Sequence, residues 1–261
     1  MRTTKRMYPV ALTVVGIALL LISAQLYASK TDDRIESSAK KSYVFKTYLK
    51  GDDIKIESKD GVVALMGTVS EESHKSLAQE TVANLPGVKR VDNRLEVKGE
   101  RPAENSDLWL KAKVKTLLLF HRNVSATKTE VDIKGGIVTL RGNADSEAQK
   151  ELTTEYVKDV EGVKEVKNEM TVSTSSKESR ASKKTHESLG EMIDDASITA
   201  QVKLTLLSHR STSALNTKVK TDHGVVTLGG KAKNAAEKDL VTKLVKDIKG
   251  VKSVKNAMMV E

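Results

Sequence analysis

The chain has 261 residues, 38% hydrophobic, 30% charged and only 3% aromatic, a balance that excludes a membrane-embedded bundle and calls for soluble domains with aliphatic cores. It contains no cysteine, which excludes disulfides, thiol nucleophiles and a lipidated cysteine anchor. The formal net charge of +9 is uneven: residues 195–261 hold 12 Lys/Arg against 6 Asp/Glu, whereas residues 32–100 hold 12 against 13 and residues 107–175 hold 11 against 11.

At the N-terminus, Arg2, Lys5 and Arg6 precede an uncharged run from Met7 to Ser29. Its most apolar part, Val10 to Ile22, has the length of a signal-peptide core and falls short of the roughly 20 residues that span a bilayer. Residues 1–28 are therefore expected to be a signal peptide, cleaved after Ala24 or Ala28, or else an uncleaved anchor to the inner membrane. Either reading makes the protein exported.

The remainder is one module used three times. Gly61-Val-Val-Ala-Leu-Met-Gly67 returns as Gly136-Ile-Val-Thr-Leu-Arg-Gly142 and as Gly224-Val-Val-Thr-Leu-Gly-Gly230. The companion motif keeps its offset in every copy: Gly87-Val-Lys-Arg-Val-Asp-Asn93, Gly162-Val-Lys-Glu-Val-Lys-Asn168 and Gly250-Val-Lys-Ser-Val-Lys-Asn256. Residues 107–173 and 195–261 agree at 33 of 67 positions without a gap, so these two are the more recent duplicates. Three domains follow: domain 1 (32–100), domain 2 (107–175) and domain 3 (195–261). The segment 176–194 between the last two is polar, Ser- and Lys-rich, and reads as a flexible linker.

Within domain 2, Asp107 is expected to cap a first helix whose Leu110, Val114, Leu117 and Leu118 share one face. Asp195, Ile198, Val202 and Leu206 repeat this in domain 3. Thr129, Val131 and Ile133 alternate at period two. After a Lys-Gly-Gly turn, Ile137 to Arg141 complete a β-hairpin, with Gly142 expected to end the strand. A second helix from about Ser146, with Leu152, Val157 and Val160 inward, is expected to run to Gly162. Val163, Val166, Met170 and Val172 form the last strand. The unit is α-β-β-α-β, an α+β fold.

In this order, with Gly-Val-Val-Thr-Leu-x-Gly before the second helix and Gly-Val-Lys-x-Val-x-Asn after it, each copy resembles a BON domain. The resemblance implies a small α+β module of bacterial envelope proteins, non-catalytic and in contact with phospholipid surfaces, and it carries over no catalytic residue. The glycines of Gly135 to Gly142 then read as a hairpin turn and the strand leaving it. A phosphate cradle would place them before a helix N-terminus.

No set of residues suggests catalysis, a cofactor, a metal or a small-molecule substrate. None of the five histidines pairs with another at the i, i+4 spacing of a helical metal site, and carboxylates do not keep their places from copy to copy. Nucleic acid is not an expected partner either: the basic excess is confined to one domain, and no exposed aromatic pair is available for base stacking. His121-Arg122 and His209-Arg210 recur after the first helix, where domain 1 has Lys46-Thr47. They read as solvated loop positions inherited by duplication or as recognition of anionic head groups by Arg122 and Arg210. Trp109, the only tryptophan, stands where the other copies have Arg34 and Ser197, on a helical stripe with Lys113, Thr116 and Phe120 off the core face. Trp109, Lys113 and Phe120 are expected to form an interfacial membrane patch or a contact between domains.

The expected function is non-enzymatic binding to anionic phospholipid surfaces or envelope proteins in envelope or osmotic stress. Weak contacts from each module add through the linkers, helped by long-range attraction to the basic domain 3. The alternative is a periplasmic chaperone or scaffold.

Overall fold

The computed structural model describes residues 30–99, 103, 106–173 and 193–261. The segment expected to be a signal or anchor and most of the expected linker lie outside these residues. Among the described residues no helix is long and apolar enough to cross a membrane.

Each domain is one small sheet with helices on one face, built as α-β-β-α-β. In domain 2, α4 (Asp107–Phe120) leads to the hairpin β4 (Thr129–Lys134) and β5 (Ile137–Ala144), then α5 (Glu147–Lys158), β6 (Glu165–Asn168) and β7 (Thr171–Val172). The hairpin is antiparallel, and the last strands lie parallel to the central β5. Domain 3 repeats this with α6 (Asp195–Ser208), β8 (Thr217–Asp222), β9 (Val225–Ala232), α7 (Ala235–Lys246), β10 (Ser253–Asn256) and β11 (Met259–Val260). In domain 1 a helix over residues 30–41 is followed by a short second one, α2 (Tyr43–Thr47), then β1 (Asp53–Lys59), β2 (Val62–Val69), α3 (Glu72–Ala83) and β3 (Arg90–Val97). The helix over residues 30–41 is α1.

The motif residues act as internal ties. Asp107 is not the cap: Ser106 Oγ accepts from Trp109 N–H, and the Asp107 carboxylate, one residue inside the helix, accepts from the hairpin N–H groups of Gly135 and Gly136 at 2.7 and 2.9 Å. Those two bonds hold Asp107 below the usual carboxylate range. Asp195 binds the turn at His223 and Gly224 in the same way, and Asp32 binds Asp60 and Gly61. The motif asparagine joins helix to strand. Asn168 Nδ2 donates to Lys150 O and Thr154 Oγ1, while its Oδ1 accepts from Met170 N–H, which explains why the last strand is interrupted between β6 and β7.

Gly142 lies inside β5, paired with Thr129, and does not end it. Its φ is +106°, and a Cβ there would sit 2.0 Å from Lys128 O, so only glycine lets the hairpin close at this point. The second helix also ends earlier than expected, at Lys158 rather than at Gly162. The helix stops at the equivalent residue in every copy, Ala83, Lys158 and Lys246, and the residues that follow close a turn, Val160 N–H donating to Val157 O and Val163 N–H to Val160 O.

The cores do not follow the three repeats. Domain 2 has its own, from Leu110 and Val114 to Val163 and Met170. Domains 1 and 3 share one continuous core, from Ile35 and Leu65 to Ile198, Leu228 and Val251. Helix α6 lies in the middle of it and is buried on nearly every side, including Ser197, Thr199, Gln201 and Thr205.

Replacing Gly142 by Ala is expected to destabilise domain 2 by about 3 kcal/mol or more, as left-handed strain and overlap with Lys128 O combine. At Gly135 a Cβ meets nothing within 4 Å, so Gly135→Ala should cost only about 1–2 kcal/mol. Urea denaturation of the two variants side by side checks the order.

Candidate functional site: an interdomain clamp and a basic sheet face

The His-Arg loops do not face solvent. His121 and His209 follow the last residues of α4 and α6, and both imidazoles are buried where domain 2 meets domain 3. Each loop adds a short antiparallel bridge to the other domain, His121 with Ile248 and Val160 with His209. Positions in one half are related to those in the other by the repeat offset of 88 residues, so the contact has pseudo-twofold symmetry.

The chemistry of each half is the same. Arg122 N–H donates to Asp247 O, and Arg210 N–H donates to Asp159 O, both at 2.9 Å. The Arg122 guanidinium donates to Ile248 O and Val251 O at 2.6 and 2.5 Å. That of Arg210 donates to Lys158 O, Val160 O and Val163 O at 2.5–2.9 Å. These carbonyls lie at and just beyond the C-terminal ends of α7 and α5, where intrahelical partners run out and the helix dipole favours a cation. His121 Nδ1 lies 3.2 Å from Asp247 Oδ2, and His209 Nδ1 lies 3.1 Å from Asp159 Oδ2. Asp247 also accepts from Tyr156 Oη and Asn123 Nδ2, and Asp159 from Ser211 Oγ. Tyr156 stacks on His121 with ring centroids 3.9 Å apart, and the two imidazoles face each other edge-on at 6.5 Å.

Burial sets the electrostatics. Desolvation holds His121 below the ordinary imidazole value despite the opposing pull of Asp247. Burial would raise Asp159, but hydrogen bonds from His209 and Ser211 and the charges of His209 and Arg210 carry it below the usual carboxylate range. Tyr156 is pushed above its ordinary value, first by burial and then by Asp247.

Phe120, expected in an exposed patch, is completely buried. The C-terminal end of α4 points at domain 1, where the Phe120 ring meets Tyr48 edge-on at 5.4 Å. Trp109 is not off the core: it packs partly buried against the domain 2 core, with Lys113 Nζ 4.8 Å from its ring centroid. Lys113 Nζ also lies 3.7 Å from Glu161 Oε2. Arg122 and Arg210, expected at head groups, donate to the opposite domain. The structure therefore divides the five candidate residues among three places. What sequence reasoning missed is the partner of the His-Arg pair. Asp159 and Asp247 occur only in the two copies that carry His-Arg, and domain 1 has Asn84 there, so the co-occurrence was the available signal.

Domain 1 docks differently. Ser42 breaks its first helix and caps α2, accepting from Phe45 N–H. The freed N–H groups of Tyr43 and Val44 then donate to Asp194 Oδ2 and Ser197 Oγ at the start of α6. Asp194, read as linker, caps α6, and Ile193 before it is buried. Lys203 pairs with Glu80 at 2.9 Å across the same contact.

A second feature is the outer sheet face of domain 3. Lys220 and Lys255 flank Thr227 across three strands, and Lys218 stands beside Gly229. All are exposed, and the three lysines have no carboxylate partner among the described residues. The equivalent face of domain 2 holds Glu130, Asp132 and Glu169, with Arg141 paired to Glu169 and Lys111 to Asp132. Exposed aliphatics stand at one end of the basic face: Leu215, 93% exposed, in the turn before β8, with Met259 in β11 beside Lys231. No group of His, Asp or Glu among the described residues can hold a metal ion.

Comparison with known proteins agrees with the repeat. The family described as BON domain matches residues 31–99, 106–174 and 194–261. The chain is 34% identical over 150 residues to osmotically-inducible protein Y of Escherichia coli (strain K12), covering 58% of this chain and 70% of that one. It is also 34% identical over 137 residues to an uncharacterized protein in the gshII 5' region of Anaplasma centrale, covering 52% and 83%. Among solved structures it is similar to CdsD, a structural protein of the type III secretion system of Chlamydia trachomatis, at 17% identity and a TM-score of 0.23 over 87% of this chain and 91% of that one.

Arg122→Ala and Arg210→Ala should each loosen domain 2 from domain 3 by about 1.5–3 kcal/mol, the contribution of hydrogen bonds to a charged group. Hydrogen exchange checks this: amides of Arg122, Glu161, Arg210 and Lys249 should exchange faster, while those of β5 and β9 keep their protection.

Proposed function

The chain belongs to the BON domain family, and on that premise we propose that it is a non-enzymatic, exported envelope protein that binds anionic phospholipid surfaces under osmotic or envelope stress. Export is supported by the basic and then apolar start of the sequence. The stress setting is supported by similarity to osmotically-inducible protein Y.

The observation that carries the binding reading is the outer face of domain 3. Duplication preserved the inner residues of this sheet, yet Glu130 and Asp132 became Lys218 and Lys220, and Glu165 and Glu169 became Ser253 and Ala257. Domain 2 carries Lys167 on this face among Glu130, Asp132 and Glu169, whereas in domain 3 its counterpart Lys255 is joined by Lys218 and Lys220 and those acidic residues are gone. On one face of a pleated sheet, Lys218 and Lys220 are about 7 Å apart, and Lys220 and Lys255 are two strand spacings apart, about 10 Å. Such spacings suit several head groups at once. Leu215 and Met259 supply apolar side chains that can enter the boundary between head groups and acyl chains. Trp109 is assigned instead to the packing of domain 2, and Arg122 and Arg210 to the clamp.

Each lysine near an anionic surface contributes about 1 kcal/mol, so Lys218→Gln, Lys220→Gln and Lys255→Gln together should weaken partitioning onto anionic vesicles about 100-fold. Flotation with vesicles of graded anionic content measures this, and Trp109→Ala should float like the parent. Binding that ignores anionic content, or that survives the triple substitution, would overturn the proposal. Suppression of client aggregation without lipid would favour a chaperone instead.

A further inference from the structure

The clamp between domains 2 and 3 has features that a purely structural contact does not need. Its two imidazoles are buried, and the Nε2 atoms of both have no hydrogen-bond partner among the described residues. Arg122 and Arg210 alone would satisfy the helix ends. The groups facing the imidazoles are Asp247, Tyr156 and Lys249 around His121, and Asp159 and Arg210 around His209, with Arg122 beside Tyr156. Arg122, Arg210 and Lys249 already exceed the two carboxylates by one positive charge, and a proton added to His121 raises that excess further within a water-poor contact. The carboxylates are already engaged by Tyr156, Asn123 and Ser211, and the imidazole centroids are only 6.5 Å apart.

The packing makes this contact separable. Domain 2 keeps its own core, and the core shared by domains 1 and 3 takes from domain 2 only Phe120, with Leu119 packed against it. Beyond the clamp, domain 2 is held by Phe120 on Tyr48, by Tyr48 Oη and Lys249 Nζ donating to Leu119 O, and by the Ser73–Thr116 hydroxyl pair.

We propose that the paired His–Asp clamp is a proton-operated latch, in which proton uptake by the buried His121 releases domain 2 from the unit formed by domains 1 and 3 while every core stays folded. The direction follows from linkage. The docked state disfavours the charged form of His121, so the undocked state takes up the proton first. Docking is therefore complete above about pH 6.5, the ordinary imidazole value, and weakens as pH falls below it.

The absence of cysteine permits a direct test. Spin labels at Glu151→Cys on α5 and Asp239→Cys on α7, both exposed and related by the repeat offset, report the distance between the two domains in the full chain. At pH 7.5 a single narrow distance is expected. At pH 5.0 a longer, broader population should predominate, with far-UV circular dichroism unchanged. His121→Phe should hold the short distance at both pH values; if it does not fold, His121→Gln takes its place, and if neither folds the parent's two distances decide. An unchanged distance at pH 5.0, the same long population in the His121 variant, or loss of the dichroism signal together with the distance would each overturn the latch.

Discussion

The arrangement of the three domains depends on one requirement of helices: the last carbonyls of α5 and α7 need donors that their own helices cannot supply. In domains 2 and 3 those donors come from the neighbour. Arg210 closes the end of α5 and Arg122 closes the end of α7. Because the acceptors are backbone atoms, the contact specifies a geometry more than a side-chain identity. The guanidinium is planar and permanently charged, so it can serve two or three carbonyls at once. The aspartate after each helix then meets the histidine that precedes the arginine, and two related copies become self-complementary in the way a symmetric dimer does.

Domain 1 shows what happens when that requirement is met internally. Asn84 stands where the other copies have Asp159 and Asp247, and its Nδ2 donates to Glu80 O of its own helix. No arginine is needed, and Lys46-Thr47 stands where the His-Arg pair would be. Freed from the clamp, domain 1 uses the other end of a helix. Ser42 interrupts the first helix, and the N–H groups exposed by that break are satisfied by Asp194 and Ser197 of α6. One docking mode uses orphan carbonyls and the other orphan N–H groups. Helix α6 takes part in both, which is why polar residues such as Ser197 and Gln201 are buried in it with partners, Gln201 Nε2 donating to Ser197 O.

The repeat made the fold legible from sequence. Motifs that return three times at fixed offsets locate hairpin, helix and strand, and the strand pairing follows from their order. Finer points escaped because they depend on contacts that local pattern does not record. Asp107 looked like a cap because it precedes an apolar helical stripe, but Ser106 takes that role and leaves the carboxylate to hold the hairpin turn. The end of α5 was misplaced because Gly162 looked like its cap, whereas a turn over residues 159–163, repeated in every copy, separates the two. Phe120 and Trp109 share a helical stripe, yet one end of α4 faces Tyr48 and the other its own core, so a wheel drawn for an isolated helix could not separate them. His121 and His209 looked solvated because, within one module, they are in a loop after a helix.

The same comparison explains where function can reside. A duplicated module inherits its inner residues and its ties: the aspartate that holds the turn, the strand glycine and the asparagine between helix and strand recur in every copy. Substitutions that leave those ties intact are free to change the outer sheet face, since that face supports no other layer. In domain 2 the freedom went into paired charges, Arg141 with Glu169 and Lys111 with Asp132. In domain 3 the acidic partners disappeared while the lysines accumulated, at a cost in mutual repulsion that stability alone does not explain. Repulsion of this kind is relieved when an anionic surface covers the face. Because domain 3 shares its core with domain 1 and only clamps domain 2, covering that face need not disturb either interface. Surface binding and domain docking can thus change independently within one chain.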